Sequence, residues 1–344
     1  MKAGCYTALI TPFDSSGELD DKGFEKLIDF QTHNGITGVL ATGTTGESPT
    51  LHWEEHNKVV ALAAKFAKGK CLSVAGTGSN NTREALEAAR HAVNEGVDAL
   101  LLVDPYYNGP SSLEIRREYY EPAAKAFPDT QIIPYIIPGR SGAQMMPQDL
   151  AILTRDYPNL NSVKEATGDL DNMKLTRTLC GDDFSIFSGD DGIIYQIMTD
   201  PQIKACGSIS VMSNIAPGLM TRMVQMINAG DTDGAQQIQN ALAPLLDLVV
   251  VVTQEESDFG RVKCRARNPL PLKTLMQLLG MPSGACRKPI GKMTSQGLAQ
   301  VVSAAQKVWA DNPEVFEPIA THFDLDIDDR LNNPVYRENL SYDY

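Results

Sequence analysis

The chain has 344 residues, of which 42% are hydrophobic and 21% charged, and its formal net charge is −13. This length suits two average domains or one large α/β barrel. The acidic balance argues against a non-specific nucleic-acid binder or a protein of anionic membrane surfaces, because no basic field exists to release counterions. Nine acidic residues and only two arginines lie from Asp311 onward, so much of the excess is local.

Cysteine usage and hydropathy predict the compartment. The first twelve residues lack the long apolar core of a signal peptide. The longest purely aliphatic run, residues 248–252, is far too short to span a membrane. Six cysteines are scattered without a Cys-x-x-Cys pair, which is typical of reduced thiols and not of disulfides or a zinc site. We therefore expect a soluble, cytoplasmic protein.

Short β-branched runs alternate eight times with longer amphipathic stretches. Strands are predicted at residues 6–10, 38–41, 71–75, 99–103, 131–137, 160–163, 184–187 and 205–211. Helices are predicted between them at residues 21–33, 53–67, 82–94, 113–127 and 147–157. Eight such units in one series predict an α/β protein with a (β/α)8 TIM barrel.

The chain after the eighth strand reads as wholly helical, with helices at residues 217–228, 234–252, 272–279 and 295–311. We expect three parts. Residues 1–230 form the barrel, residues 231–311 form a C-terminal helical subdomain, and residues 312–344 form an acidic extension. The extension is polar and weakly periodic, so it either wraps around the protein or dangles from it.

Lys164 ends a strand-like stretch and precedes a Thr-Gly turn. A lysine amine has an ordinary pKa near ~10.4 and is normally protonated. An enclosed site disfavours the ammonium and frees the lone pair for attack on the carbonyl of a keto acid. Most lysines are solvated surface charges, so this position is a weak sign on its own.

The other predicted strand ends strengthen the hypothesis for Lys164. In a barrel, the chemistry collects at the carboxyl ends of the strands. Hydroxyl, phenol and guanidinium groups fall at these ends, including Thr44, Thr45, Tyr106, Tyr107, Tyr135 and Arg140. Their convergence on one face makes Lys164 a candidate nucleophile.

Metal and nucleotide motifs are missing. The Gly43–Gly46 turn lacks the Lys-Ser/Thr of a phosphate loop, and a tight turn whose backbone N–H groups face a carboxylate explains it better. Five histidines show no metal-binding spacing, and we expect His56 and His91 to face solvent from their helices. An acidic run at residues 324–328 resembles a calcium loop, but Asp329 stands where glycine is required. No metal and no cofactor are expected.

Four strand-end motifs in this order resemble the dihydrodipicolinate synthase family, within the class I pyruvate aldolases that include N-acetylneuraminate lyase. They are Gly-Thr-Thr-Gly-Glu at 43–47, Pro-Tyr-Tyr-Asn at 105–108, Lys-Glu-Ala-Thr-Gly at 164–168 and Gly-Asp-Asp at 189–191. The resemblance covers roughly residues 3–308. Residues 268–273 also look like the family's helical-subdomain motif.

The resemblance implies a catalytic set. Lys164 would form a Schiff base with pyruvate, and Tyr135 would donate and accept protons beside that imine. Thr44 and Tyr107 would extend a hydroxyl relay to solvent, with Tyr107 reaching in from a neighbouring subunit of a dimer or tetramer. A tyrosine linked to other hydroxyls can move protons without a buried charged base.

The resemblance also implies how substrates bind. Thr45 would hold the pyruvate carboxylate, and Ile209 would line the pyruvate pocket. Arg140 would take the carboxylate of L-aspartate 4-semialdehyde, because a guanidinium pairs bidentately with a carboxylate. The expected reaction is the condensation of these two substrates by a lyase of lysine and diaminopimelate biosynthesis.

An L-lysine effector site is implied at positions that match the family's dimer interface. They are Ser48, Pro49, Trp53, His56, Asn80, Glu84 and Tyr106. Feedback inhibition by L-lysine follows, with an indole at Trp53 covering the aliphatic stem of the ligand. The alternative is that Trp53 and Tyr106 simply pack a subunit interface.

One departure keeps a second function open. The family usually carries asparagine after the strand-five tyrosine, where this chain has Ile136. This substitution supports an alternative, a related pyruvate-dependent aldolase or dehydratase that acts on a sugar acid. A catalytically silent paralogue that only binds ligands is disfavoured, because every relay residue is present.

Overall fold

A closed barrel of eight parallel strands in chain order forms the centre of a computed structural model that describes residues 1–342. The strands are β1 (Gly4–Ala8), β2 (Gly38–Ala41), β3 (Leu72–Gly76), β4 (Ala99–Val103), β5 (Gln131–Ile136), β6 (Ser162–Glu165), β7 (Ser185–Ser188) and β8 (Gly207–Ser210). The pairing of β1 with β8 closes the barrel. The predicted (β/α)8 fold is therefore confirmed.

Helices lie between the strands and after the barrel. They are α1 (Asp21–His33), α2 (Trp53–Ala67), α3 (Thr82–Asn94), α4 (Ser112–Ile115), α5 (Glu121–Ala126), α6 (Pro138–Ser141), α7 (Pro147–Asp156), α8 (Leu170–Cys180), α9 (Ile194–Thr199), α10 (Pro217–Asn228), α11 (Thr232–Leu246), α12 (Leu270–Leu279), α13 (Ser295–Asp311), α14 (Glu317–Phe323) and α15 (Ile327–Asn332). A π-helical turn, Arg116–Tyr120, joins α4 to α5. No helix within residues 1–342 is long and apolar enough to cross a membrane.

Several predicted helices have the predicted bounds, and local capping explains why. The Asp20 side chain accepts a hydrogen bond from Gly23 N at the start of α1. The Asn81 side chain accepts one from Arg83 N at the start of α3. Each cap satisfies a backbone donor that has no partner inside its helix, which defines where the helix begins.

Side chains alternate between the barrel interior and the layer under the helices. Tyr6, Phe187 and Ile209 belong to the inner cluster, where the first two rings meet edge to face at 5.5 Å between centroids. Ile136 belongs to the outer cluster, whereas its neighbour Tyr135 belongs to the inner one. This alternation follows from the two-residue period of a strand and decides which side chains face the site.

The prediction of a helix over residues 234–252 is confirmed as far as Leu246 and is wrong beyond it. Helix α11 ends at Leu246, and two antiparallel strands follow, β9 (Val250–Ser257) and β10 (Gly260–Arg267). The run from Val250 to Thr253 is β-branched and alternates between half-buried or exposed and buried positions, which favours a strand. A short aliphatic run has no clear period, so the sequence alone did not separate strand from helix.

The C-terminal extension packs against the helices that precede it. Phe316, Ile319 and Leu331 are fully buried, and Arg330 donates through Nε to the Leu278 carbonyl at 2.8 Å. The carboxylate of Asp326, from the run that resembles a calcium loop, caps α15 by accepting from Asp329 N at 3.0 Å. The three-part division at residues 230 and 311 stays a prediction, since α11 packs on both α10 and α13.

Candidate active site

Lys164 lies inside β6 with only 5% of its surface exposed. Register pairs it with Tyr135 on β5, and its Nζ lies 4.2 Å from the centre of the Tyr135 ring. The pKa of Lys164 is lowered to about 7, chiefly by burial; the charge of Asp191 opposes this change, and the charge of Arg140 contributes to it. Near neutral pH a large fraction of this amine is therefore unprotonated and nucleophilic.

Two neighbours shape the space around the lysine. A Cβ at Gly189 would lie 3.1 Å from Lys164 Cε and 2.9 Å from the Ala166 Cβ, so glycine leaves room for the side chain. Asp191 is buried, and its Oδ2 accepts from the backbone N–H groups of Val211 and Met212 at 2.9 and 2.7 Å. Burial raises the pKa of Asp191 to about 6.

Tyr135 connects the lysine to a hydroxyl group. Burial raises the pKa of Tyr135, while the charge of Arg140 and a hydrogen bond with the Thr44 side chain oppose that rise. Since its pKa is raised, the phenol is protonated near neutral pH, and its ring lies beside the amine. The Tyr135–Thr44 segment of the relay stays a prediction, and the two side chains are neighbours within one chain.

Tyr107 is not joined to that segment within residues 1–342, where no hydrogen bond links its hydroxyl to Thr44 or Tyr135. Its side chain is 90% exposed, and its backbone has a φ of 79°. A left-handed conformation is costly for a bulky residue. The Tyr107 N–H donates to the Ser141 carbonyl at 3.1 Å, which holds the turn in place.

A cavity of about 560 Å³ opens at the carboxyl ends of the strands. The proposed site residues Thr44, Tyr107, Tyr135 and Arg140 line it, together with Ser48, Pro49 and Tyr106 of the expected lysine site. Lys164, Thr45 and Ile209 do not line this cavity. They are buried, and Lys164 reaches the cavity residues through its contact with the Tyr135 ring.

Asn268 links the two groups that the sequence assigns to carboxylate binding. Its side-chain Nδ2 donates to Thr45 Oγ1 at 3.0 Å, and its backbone carbonyl accepts from Arg140 Nη2 at 3.0 Å. Asn268 is buried, and its Oδ1 has no partner among the described residues. Sequence reasoning placed this residue in a motif but gave it no role, because the contact spans 223 residues.

A buried ion pair supports the same turn. Lys273 Nζ lies 2.6 Å from Glu47 Oε1, and both side chains are fully buried. The second carboxylate oxygen of Glu47 accepts from Arg287 N at 2.8 Å, and the lysine also donates to the Thr11 carbonyl at 3.1 Å. These bonds fix the Gly-Thr-Thr-Gly-Glu turn to helix α12.

The expected lysine-site residues fall into two groups. Burial raises the pKa of Tyr106, whose surroundings include Ser79, Asn80 and Glu84. Glu84 itself accepts from the Ser79 hydroxyl at 2.8 Å. Trp53, which is 40% exposed, packs against His56 with 5.0 Å between ring centroids.

The prediction that His56 and His91 face solvent is wrong. His56 is 2% exposed, and its Nε2 lies 2.9 Å from the Gly76 carbonyl. Burial lowers the pKa of His56 to about 4, so the ring is neutral at ordinary pH. His91 is half-buried, with Nε2 3.0 Å from the Asn57 carbonyl. The His56 ring contacts strand β3, and the His91 ring contacts helix α2, so a backbone carbonyl lies at hydrogen-bond distance from each Nε2.

Ile136 is buried in the outer core and does not line the cavity. The position after the strand-five tyrosine therefore faces the surrounding helices, as the alternation along β5 requires. Ile137, one residue later, does line the cavity. An apolar residue at position 136 is therefore not evidence for a different second substrate.

A buried lysine of lowered pKa that lies beside a buried tyrosine in a closed barrel suits a barrel enzyme of the imine-forming type. Comparison with known proteins gives the family. Residues 1–308 match the model of the dihydrodipicolinate synthetase family. The chain belongs to this family.

Relatives of known activity and structure agree. The 4-hydroxy-tetrahydrodipicolinate synthase of Methanococcus maripaludis is 38% identical over 301 residues, 88% of this chain and 96% of that protein. The Nitratidesulfovibrio vulgaris synthase is 36% identical over 287 residues, 83% and 91% of the two chains. The dihydrodipicolinate synthase of Aquifex aeolicus is 33% identical, with a TM-score of 0.81 over 89% of this chain and 98% of that one. The lysine-bound Cyanidioschyzon merolae structure is 31% identical, with a TM-score of 0.80 over 89% and 98%.

Proposed function

We propose that this protein condenses pyruvate with L-aspartate 4-semialdehyde to give 4-hydroxy-tetrahydrodipicolinate. The observation that carries the proposal is Lys164, which is buried, has a lowered pKa and lies 4.2 Å from the Tyr135 ring centre. The curated relatives named as this synthase support the choice of reaction.

The first half-reaction makes a carbon nucleophile. The neutral Lys164 amine adds to the keto carbon of pyruvate, and one proton from the tyrosine relay lets the hydroxyl group leave as water, which gives a protonated imine. That cation draws electrons from the methyl group, which loses a proton to give an enamine. Tyr135 lies beside the amine and exchanges protons with Thr44, so these steps need no buried carboxylate.

The second half-reaction uses the rest of the cavity. The enamine carbon attacks the aldehyde carbon of the second substrate, and the new alkoxide takes a proton from the tyrosine relay. The amine of the second substrate then displaces Lys164 from the imine, which closes the ring and frees the enzyme. Arg140 lines the cavity and holds the carboxylate of the second substrate, while Thr45 holds that of pyruvate.

The sugar-acid alternative has lost its main support, because Ile136 faces the outer core. Assays on both substrate sets, with wild type and Arg140→Ala, test the choice. We expect aspartate semialdehyde turnover by wild type and a large rise in its KM in the variant. Turnover that is absent, or that ignores Arg140, would exclude the synthase assignment.

Self-association completes the site in this proposal. Tyr107 lines the cavity and is 90% exposed in one chain, and its left-handed backbone is held by Ser141. We expect a dimer or tetramer in which the phenol of one subunit extends the relay of another.

The free cysteines agree with a cytoplasmic location.

L-Lysine is the proposed effector. Glu84 and Tyr106 lie together near Asn80, and Trp53 stands partly exposed over His56. The Cyanidioschyzon merolae relative was solved with lysine bound. Inhibition curves for wild type and Glu84→Gln test the site. We expect the variant to keep its activity and lose sensitivity, and equal sensitivity would contradict the assignment.

A further inference from the structure

Two histidines and an aspartate from distant parts of the chain converge outside the candidate active site. Asp29 and His33 lie one turn apart on α1, and His322 comes from α14 in the C-terminal extension. Asp29 Oδ2 is 3.3 Å from His33 Nδ1 and 3.9 Å from His322 Nε2. One ligand atom from each residue lies within 4.8 Å of the other two.

We propose that Asp29, His33 and His322 bind a divalent transition-metal ion such as zinc, which clamps the extension to the barrel. Two imidazoles and one carboxylate suit zinc and similar ions, with water as the fourth ligand. A single carboxylate is too few for calcium, which takes six to eight oxygen ligands, and magnesium disfavours imidazole.

The surroundings hold these side chains near their binding positions. The His322 ring packs against Phe30 at 5.3 Å and Phe323 at 4.8 Å between centroids. His322 is consequently only 20% exposed at its side chain, although the extension lies at the surface. Because these apolar contacts already order the His322 side chain, it loses little conformational entropy when an ion binds.

Two contacts compete with an ion. His33 Nδ1 lies 2.8 Å from the Asp29 carbonyl, so an ion bound at this nitrogen displaces its proton. Lys70 Nζ lies 3.5 Å from Asp29 Oδ1, the oxygen that does not face the histidines. The facing oxygen, Oδ2, is the one shared by both imidazoles, so the lysine leaves the proposed ligand atom available.

The proposed ion is structural. None of the three residues lines the 560 Å³ cavity, and the proposal does not depend on the proposed activity. An ion here would join α1, the first helix of the barrel, to α14, almost 290 residues later in the chain. It would add a cross-link to an extension that hydrophobic packing and hydrogen bonds such as Arg330 to the Leu278 carbonyl already hold.

The test measures zinc content and thermal unfolding of the untagged full-length protein. After equilibration with zinc and gel filtration, wild type is expected to retain about one zinc ion per chain, and a chelator is expected to lower its melting temperature. His33→Ala and His322→Ala should lose both the retained zinc and the response to chelator. His91→Gln is the matched control, since His91 lies outside the cluster and the variant should retain zinc and respond to the chelator as wild type does.

Other outcomes overturn the proposal. Wild type without retained zinc would exclude the site. Equal zinc in wild type and both alanine variants would assign the metal to another group, such as the free cysteines. A variant can fold poorly, so hydrogen exchange is measured on wild type with and without zinc. Zinc should slow amide exchange in α14. Unchanged exchange would exclude the proposed clamp.

Discussion

The side-chain amide of Asn268 donates a hydrogen bond to the hydroxyl oxygen of Thr45 at 3.0 Å, and the backbone carbonyl of Asn268 accepts one from Arg140 at the same distance. The Thr45 oxygen is thereby used as an acceptor, so its own proton is free to be donated. One residue just before α12 thus orients both groups that we propose bind substrate carboxylates.

Loss of this amide should weaken pyruvate binding. We expect Asn268→Ala and Asn268→Asp to raise the KM for pyruvate by roughly tenfold, the value of about one hydrogen bond to a charged group. In the aspartate variant the Thr45 hydroxyl donates its hydrogen bond to the new carboxylate and no longer to the carboxylate of pyruvate. Asn228→Ala, at an exposed position, is the control. Unchanged KM values in both variants would show that Asn268 does not position Thr45.

The Glu47–Lys273 pair should be essential for stability. Glu47→Gln keeps the shape but leaves a fully buried ammonium without its partner charge, which typically costs about 3–5 kcal/mol. Urea unfolding measures the loss. Asp311→Asn, which removes an exposed ion pair with Lys307, should change little. Equal stability of the two variants would contradict the role assigned to the buried pair.

Imine formation should depend on pH in the neutral range. Because the pKa of Lys164 is lowered to about 7, the neutral amine grows as pH rises, so adduct formation with pyruvate should rise between about pH 6 and pH 8 and then level off. Arg140 contributes to that lowering, so Arg140→Ala should move the rise to higher pH. Rapid-quench borohydride trapping measures it, and a midpoint near that of an ordinary lysine would refute the lowered pKa.

Tyr107 should act only in the assembled protein. Tyr107→Phe removes only the hydroxyl group and keeps the ring at the proposed subunit contact, so the melting temperature should stay nearly unchanged. Removal of the relay hydroxyl should lower kcat by roughly 10²-fold or more, the usual contribution of positioned proton transfer. Analytical ultracentrifugation combined with assays at the same concentrations checks the subunit requirement. A fully active monomer would contradict a shared relay.

Local patterns were enough to predict the barrel. Helices such as α1 and α3 have capping residues and regular apolar spacing, so their bounds were predicted to the residue. The strand ends also predicted which side chains meet, because parallel strands of a barrel open on one face. Lys164, Tyr135 and Thr44 are adjacent for this reason.

Features that depend on tertiary packing were not predictable. The β-branched run at the start of β9 can be told from a helix end only once its pairing with β10 is known. The burial of His56 depends on the Gly76 carbonyl, which lies on another element. The bonds from Asn268 to Thr45 and from Lys273 to Glu47 join residues more than 200 positions apart, and no local pattern encodes them.

The central claim is that Lys164 forms an imine with pyruvate. Intact-mass measurement after borohydride reduction with pyruvate tests it most directly. We expect wild type to gain the mass of one reduced pyruvate per chain, with peptide mapping to Lys164, and Lys164→Ala to gain none. The absence of an adduct on wild type, or an equal adduct on the variant, would contradict the mechanism.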